Sequence, residues 1–75
     1  MTKSEAITEM LKGKKVTHEN FTNNEWVTID GKMENNPLLY KYLLEDGVTC
    51  NEMEFWMYRK NDDWYTGWIL WSPKK

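Results

Sequence analysis

Cysteine occurs once in the 75 residues, at position 50, and histidine once, at position 18. A lone cysteine excludes any disulfide within the chain. One cysteine and one histidine also fall short of the four nitrogen or sulfur ligands of a structural zinc site. Proline occurs twice, and the four glycines, Gly13, Gly31, Gly47 and Gly67, are scattered singly. The chain therefore holds no Gly-rich phosphate loop, and a single domain over residues 1–75 is expected. No apolar run approaches the roughly 20 residues that cross a bilayer. The opening residues carry no apolar core of a secretory signal, so with one free thiol a reducing cytoplasm is the expected compartment. Neither sign of charge dominates: ten basic and twelve acidic residues leave a net charge of −2. That argues against a general nucleic-acid binder, which would show a basic face or stripe, and charge here mainly supports solubility. No cofactor and no metal are expected, and no membrane partner.

Aromatic residues make up 15% of the chain, with five tryptophans and four tyrosines. A domain this short buries a small fraction of its surface. Such domains draw extra stability from disulfides, metals, self-association or large side chains. With the first two excluded, aromatic packing and a homo-oligomer are expected; each buried aromatic removes roughly 150–250 Å² from water.

The spacing along the chain predicts an α+β domain: an N-terminal helix packed on a small, mostly antiparallel sheet, in the order α-β-β-β-β-α-β. Thr2 and Glu5 have capping-box spacing. Ala6, Ile7, Met10 and Leu11 form one apolar stripe, and Gly13 stands where a left-handed residue ends a helix. Lys12, Lys14 and Lys15 complement the negative end of the helix dipole. Lys15 to Phe21 reads as a strand and Asn20 to Asn24 as a turn. Glu25 to Asp30 reads as a second strand, with Val27 and Ile29 on one face and Trp26, Thr28 and Asp30 on the other. If Val27 and Ile29 face the core, Trp26 points outward. Lys32 to Pro37 is a polar loop. Leu38 to Leu44 is short and aromatic, which favours a strand. Asp46-Gly47 is a hairpin signal, with Val48 to Cys50 returning. Asn51 and Glu54 cap a short helix whose apolar positions are Met53, Trp56 and Met57, and Asn61 to Asp63 ends it. Thr66 to Trp71 alternates apolar residues on both faces, which places it centrally in the sheet or under a neighbouring subunit.

Chemistry-bearing residues are few. His18 has no second histidine and reads as a surface or edge residue. Cys50 reads as a buried inert thiol. The pairs Glu45-Asp46 and Asp62-Asp63 could do acid–base work only in a pocket that splits their pKa values; beside turn signals they read as turn and cap residues. Gly67 marks a bulge or a close backbone approach. No nucleophile–base pair emerges, so an enzyme is not expected. Trp56 and Trp68 have the pattern of core residues, while Trp64 and Trp71 are open. The aromatic surplus suits stacking on bases or protein–protein hot spots.

The segment Ser4-Glu5-Ala6 to Leu11-Lys12-Gly13-Lys14-Lys15-Val16 resembles the opening helix and first strand of a family of small phage proteins that includes the Thoeris anti-defence proteins. Phe21 stands where that family has a Trp, and Thr17-His18 where it has a basic pair. Tyr40 to Gly47 and Gly67-Trp68-Ile69 are similar to its later strands. The resemblance implies an α+β phage protein in the host cytoplasm. It also implies an oligomer that binds a cyclic ADP-ribose-type signal and sequesters it intact from a defence effector. In that reading Phe21 and Trp26 stack on the ligand, Asn23 and Asn24 hydrogen-bond it, and Trp68 supports the site from the sheet. The other reading is a protein–protein inhibitor of a host defence enzyme, acting through an aromatic surface patch. A third is a structural phage protein whose aromatics hold a dimer together.

Overall fold

The start of the fold is set by local chemistry. Thr2 caps helix α1 (Lys3–Leu11): its Oγ1 accepts from the Glu5 N–H at 3.2 Å, and the Glu5 carboxylate accepts from the Thr2 N–H at 2.9 Å. This reciprocal box satisfies two donors that a helix start leaves free. The same bonds, that from the Thr2 backbone first, hold the Glu5 carboxyl below its usual pKa. Gly13 follows the helix at φ +88° and donates to the Met10 carbonyl at 3.0 Å, the expected left-handed stop.

The computed structural model describes residues 1–22, 24–31 and 40–72. After α1 come β1 (Val16–His18), β2 (Val27–Gly31), β3 (Lys41–Leu44) and β4 (Thr49–Asn51). Helix α2 (Glu52–Met57), a 3₁₀ turn (Asp62–Trp64) and β5 (Trp68–Leu70) complete the order. The strands form one five-stranded sheet in the order β4-β3-β2-β1-β5, every pairing antiparallel. The expected α+β architecture and element order are the observed ones.

Register decides which face is core. Val16 pairs with Val27 and with Leu70, and Ile29 with Tyr42. Helix α1 packs across β2, β5 and β1, and α2 against β4 and β3. Val16, Val27, Ile29, Tyr42 and Trp68 are buried with Ala6 and Met10 from α1 and Phe55 and Trp56 from α2. The expected stripe of α1 is thus the buried one. Tyr42 stacks on Phe55 at 4.9 Å, and its hydroxyl accepts from the Trp56 indole N–H at 2.9 Å. The Asp46-Gly47 turn closes the β3–β4 hairpin. Gly47 has φ +85°, and the Asp46 carboxylate accepts from the Val48 N–H at 3.0 Å.

Several local expectations are corrected. The first strand stops at His18, so Phe21 lies beyond it; the second begins at Val27, leaving Trp26 just before it. Of the Leu38–Leu44 run, the described strand is Lys41–Leu44, and Leu38, Leu39 and the polar loop before them lie outside the described residues. Helix α2 is capped by Asn51 and Glu54 as expected. Its inward stripe is Phe55 and Trp56, flanked by half-buried Glu52 and Arg59, while Met53 and Met57 are exposed. Spacing of three and four residues from Glu52 matches a helical face, and the two aromatics have more area to hide than the methionines. The last strand is shorter than Thr66–Trp71 and lies at the sheet edge, not its centre. Trp68 is fully buried, but Ile69 and Leu70 remain 57% and 50% exposed. The outer edge of β5 is met at Trp68 by the chain's start: the Met1 ammonium donates to the Trp68 carbonyl at 2.6 Å, and the Trp68 N–H donates to the Met1 carbonyl at 3.2 Å. Among the described residues, no helix is long and apolar enough to cross a membrane.

The buried hydroxyl of Tyr42 makes the core sensitive to alkali. Burial, partly offset by the bond from Trp56, pushes its pKa from 10.0 up to about 12. The fold therefore holds this proton more tightly than the unfolded chain does. The resulting stability is complete below pH 10 and is lost as pH rises towards 12. Tyr42→Phe should lower the urea midpoint at pH 8, because the Trp56 N–H loses a buried acceptor at a cost of about 1–3 kcal/mol. It should also flatten the decline above pH 10. Parallel pH curves for the two proteins would show that Tyr42 is not the group responsible.

Candidate functional site

The two faces of the sheet differ. The helices cover the face of Val16, Val27 and Trp68. Alternation along the strands puts Thr17, Thr28, Leu43 and Ile69 on the other face. Thr28 is buried there, its hydroxyl donating to the Lys14 carbonyl at 2.8 Å. Towards β5 this face opens into a groove of about 640 Å³. Thr17, Glu19, Ile69 and Trp71 come from the strand side of the groove, and Phe21 and Asn24 from the β1–β2 connection.

His18 holds this connection in shape, and here the expectation of a surface residue is overturned: it is 2% exposed. Its Nδ1 accepts from the Asn20 N–H at 3.0 Å, so Nε2 carries the proton and donates to the Thr66 carbonyl at 2.6 Å. The ring lies 4.4 Å from Trp64 and 4.7 Å from Trp68. Gly67, at φ +92°, lets the neighbouring backbone reach this close. A Cβ there would stand 3.0 Å from His18 Nε2 and 2.9 Å from Glu19 Cδ. The close approach expected of Gly67 is present.

The five residues singled out from the sequence fall in different places. Phe21 is half-buried and lines the groove, with its ring 5.7 Å from both Trp64 and Trp68. Asn24 is exposed and lines it too. Asn23 lies outside the described residues. Trp68 is fully buried behind His18 and Phe21, with its indole N–H on the Trp64 carbonyl at 2.8 Å, so it can support the groove but not touch its contents. Trp26 is half-buried and stands apart from Phe21: its ring is 5.9 Å from Trp71, with the Lys15 ammonium 4.3 Å above it. The groove thus joins Phe21 to Asn24 and Trp71, and reaches Trp26 only through Trp71.

Trp71 is, with Trp64, one of the two tryptophans the sequence left open. Its signal was the alternation of the last strand, which puts it on the face of Ile69. It also borders a second recess with Gly13, Lys14 and Lys15. Hydroxyl and amide groups of Thr17, Thr22, Asn24 and Ser72 line the first recess, and ammonium groups flank the second. That arrangement can hydrogen-bond sugar hydroxyls on one side of an indole and meet an anion on the other. The remaining candidates stay structural. Cys50 is half-buried rather than fully buried, and burial pushes its thiol pKa up. Asp46 serves its turn, and Asp62 and Asp63 begin the 3₁₀ turn. Among the described residues, no three His, Cys, Asp or Glu side chains cluster as metal ligands. No protein-family model matches the chain, and neither a curated protein nor a solved structure does so.

Proposed function

We propose that this chain is a small phage-encoded counter-defence protein that binds a cyclic nucleotide-type signal in the groove and holds it without turnover. The observation that carries the reading is the meeting of Phe21, Asn24 and Trp71 around one groove of about 640 Å³. That volume lies within the roughly 300–1,000 Å³ of small-molecule sites. The phage and counter-defence parts rest on the resemblance over residues 4–16. A homo-oligomer in the host cytoplasm belongs to the same proposal.

Isothermal titration with cyclic ADP-ribose isomers tests it, with native mass spectrometry reading subunit number and the mass of the retained ligand. Heat with at least one isomer, and recovery of that isomer intact, is expected. Trp71→Ala should weaken binding about tenfold or more, since stacking on one base is worth roughly 1–3 kcal/mol. Trp26→Ala, one ring further away, should cost less. No heat with any isomer would remove the nucleotide reading.

A second reading draws on the exposed Ile69 and Leu70 of edge strand β5, with exposed Tyr65 nearby in the chain. Apolar side chains on a strand edge suit a protein partner. The chain would then inhibit a host defence enzyme by direct contact, and a stoichiometric protein recovered from host lysate, with no small molecule, would favour it.

A further inference from the structure

A second site, away from the groove, is built around the only arginine of the chain. Arg59 follows α2, and its guanidinium carbon lies 4.3 Å from the Phe55 ring centre, 5.4 Å from Trp64 and 5.8 Å from Phe21. One terminal nitrogen donates to the Phe55 carbonyl at 2.7 Å, and Nε is buried with no hydrogen-bond partner. Among the described residues, the only ion pairs are those of Lys12 and Lys14 with Glu9, so Arg59 makes no direct ion pair and feels the Glu25 carboxylate only from a distance. Burial pulls its pKa below the ordinary arginine value. A charge held rigidly and partly out of water, without a directly bonded counter-ion, is costly. It is also preorganised, because stacking has already removed the freedom that binding would otherwise take away.

A pocket of about 180 Å³ opens beside it, lined by Lys3, Arg59, Lys60, Asp62, Trp64 and Tyr65 among others. Its lining holds three basic residues and one acidic residue, in a chain whose net charge is −2. Lys3 is fixed in place twice: its N–H donates to the Tyr65 carbonyl at 2.8 Å, and its ammonium lies 4.3 Å from the Trp56 ring centre. The volume is below the roughly 300 Å³ at which sites for larger ligands begin, so it suits a small group rather than a whole nucleoside.

We infer that this pocket binds a phosphate group, as free inorganic phosphate or as the terminal monoester of a nucleotide. Arg59 offers a planar donor fork, and Lys3 and Lys60 add point charges around it. The inference is independent of the groove, with which the pocket shares no lining residue.

The test is an amide and indole NMR titration of the full chain with inorganic phosphate, adenosine monophosphate and adenosine, at matched ionic strength. Shifts at Lys3, Lys60, Tyr65 and the Trp64 indole with the first two, and none there with adenosine, are expected. Equal response to inorganic phosphate and the monophosphate assigns the phosphate group alone; a stronger response to the monophosphate assigns the ester. Arg59→Gln should weaken phosphate binding about tenfold or more, as loss of a charged hydrogen bond does. Lys60→Gln, at an exposed position, leaves the fold untouched and should weaken it about two- to fivefold. Shifts scattered elsewhere, the same shifts with sodium chloride, or unchanged affinity in Lys60→Gln and in folded Arg59→Gln would overturn the assignment.

Discussion

Replacing Trp68 with alanine is expected to abolish cooperative unfolding at 25 °C. Trp68 is fully buried, and four aromatic rings surround it: His18 at 4.7 Å, Trp56 at 5.6 Å, Phe21 at 5.7 Å and Trp64 at 6.0 Å. Its indole N–H is bonded to the Trp64 carbonyl. Truncating a buried Trp to Ala costs about 3–5 kcal/mol. A core in a chain of this size rarely supplies more than about 3–5 kcal/mol in total. The loss and the reserve are therefore comparable, and far-UV circular dichroism should show a broad or absent transition in urea. Trp71→Ala is the control, since Trp71 is half-buried and outside the core cluster. Its midpoint should move by about 1 kcal/mol or less, the worth of one aromatic pair. A Trp68→Ala protein that unfolds as cooperatively as the Trp71→Ala one would show that the core is misassigned.

The second large effect is expected at Gly67, and Gly13 calibrates it. Both have left-handed backbone, at φ +92° and +88°. Alanine at either position meets the conformational cost of that region, about 1–2 kcal/mol. At Gly13 nothing stands within 4 Å of an added Cβ, so that cost is the whole effect. At Gly67 the methyl would meet His18 Nε2 at 3.0 Å. The Glu19 side chain can swing aside into solvent, but His18 is held from both ring nitrogens. Moving it leaves the Thr66 carbonyl or the Asn20 N–H short of a partner, at about 1–3 kcal/mol each. Gly67→Ala should therefore be the more destabilising by at least about 1 kcal/mol in urea unfolding, and the His18 ring signals should shift in NMR. Equal losses at the two glycines would mean that the His18 contact yields freely.

How far the site could be read in advance divides along the same line. Phe21, read as the end of the first strand, and Asn24, read in the turn after it, were singled out through the family resemblance, and both line the groove. Trp26 was marked by strand parity; it lies just before the strand, half-buried and outside the core cluster. Parity says nothing about which neighbour a ring meets, and that neighbour is Trp71 under Lys15. His18 looked like a solitary edge residue because both of its hydrogen-bond partners are backbone groups, one of them 48 positions away. Arg59 carried no motif, since its aromatic seat is assembled from Phe21, Phe55 and Trp64, which are scattered along the chain.

The sequence by itself determined what depends on neighbours within a few residues. The capping boxes at Thr2 and Asn51, the stop at Gly13, the Asp46-Gly47 turn and the α+β order all rest on local hydrogen bonds and backbone preference, which act over three or four positions. Only the tertiary structure decided what depends on distant surfaces meeting. It placed β5 at the sheet edge beside β1, turned Phe55 inward in place of Met53 and Met57, and buried His18 against Thr66. These outcomes follow from competition for a small core, where the rings with most area to hide displace the rest, and such a competition is settled among all the elements at once.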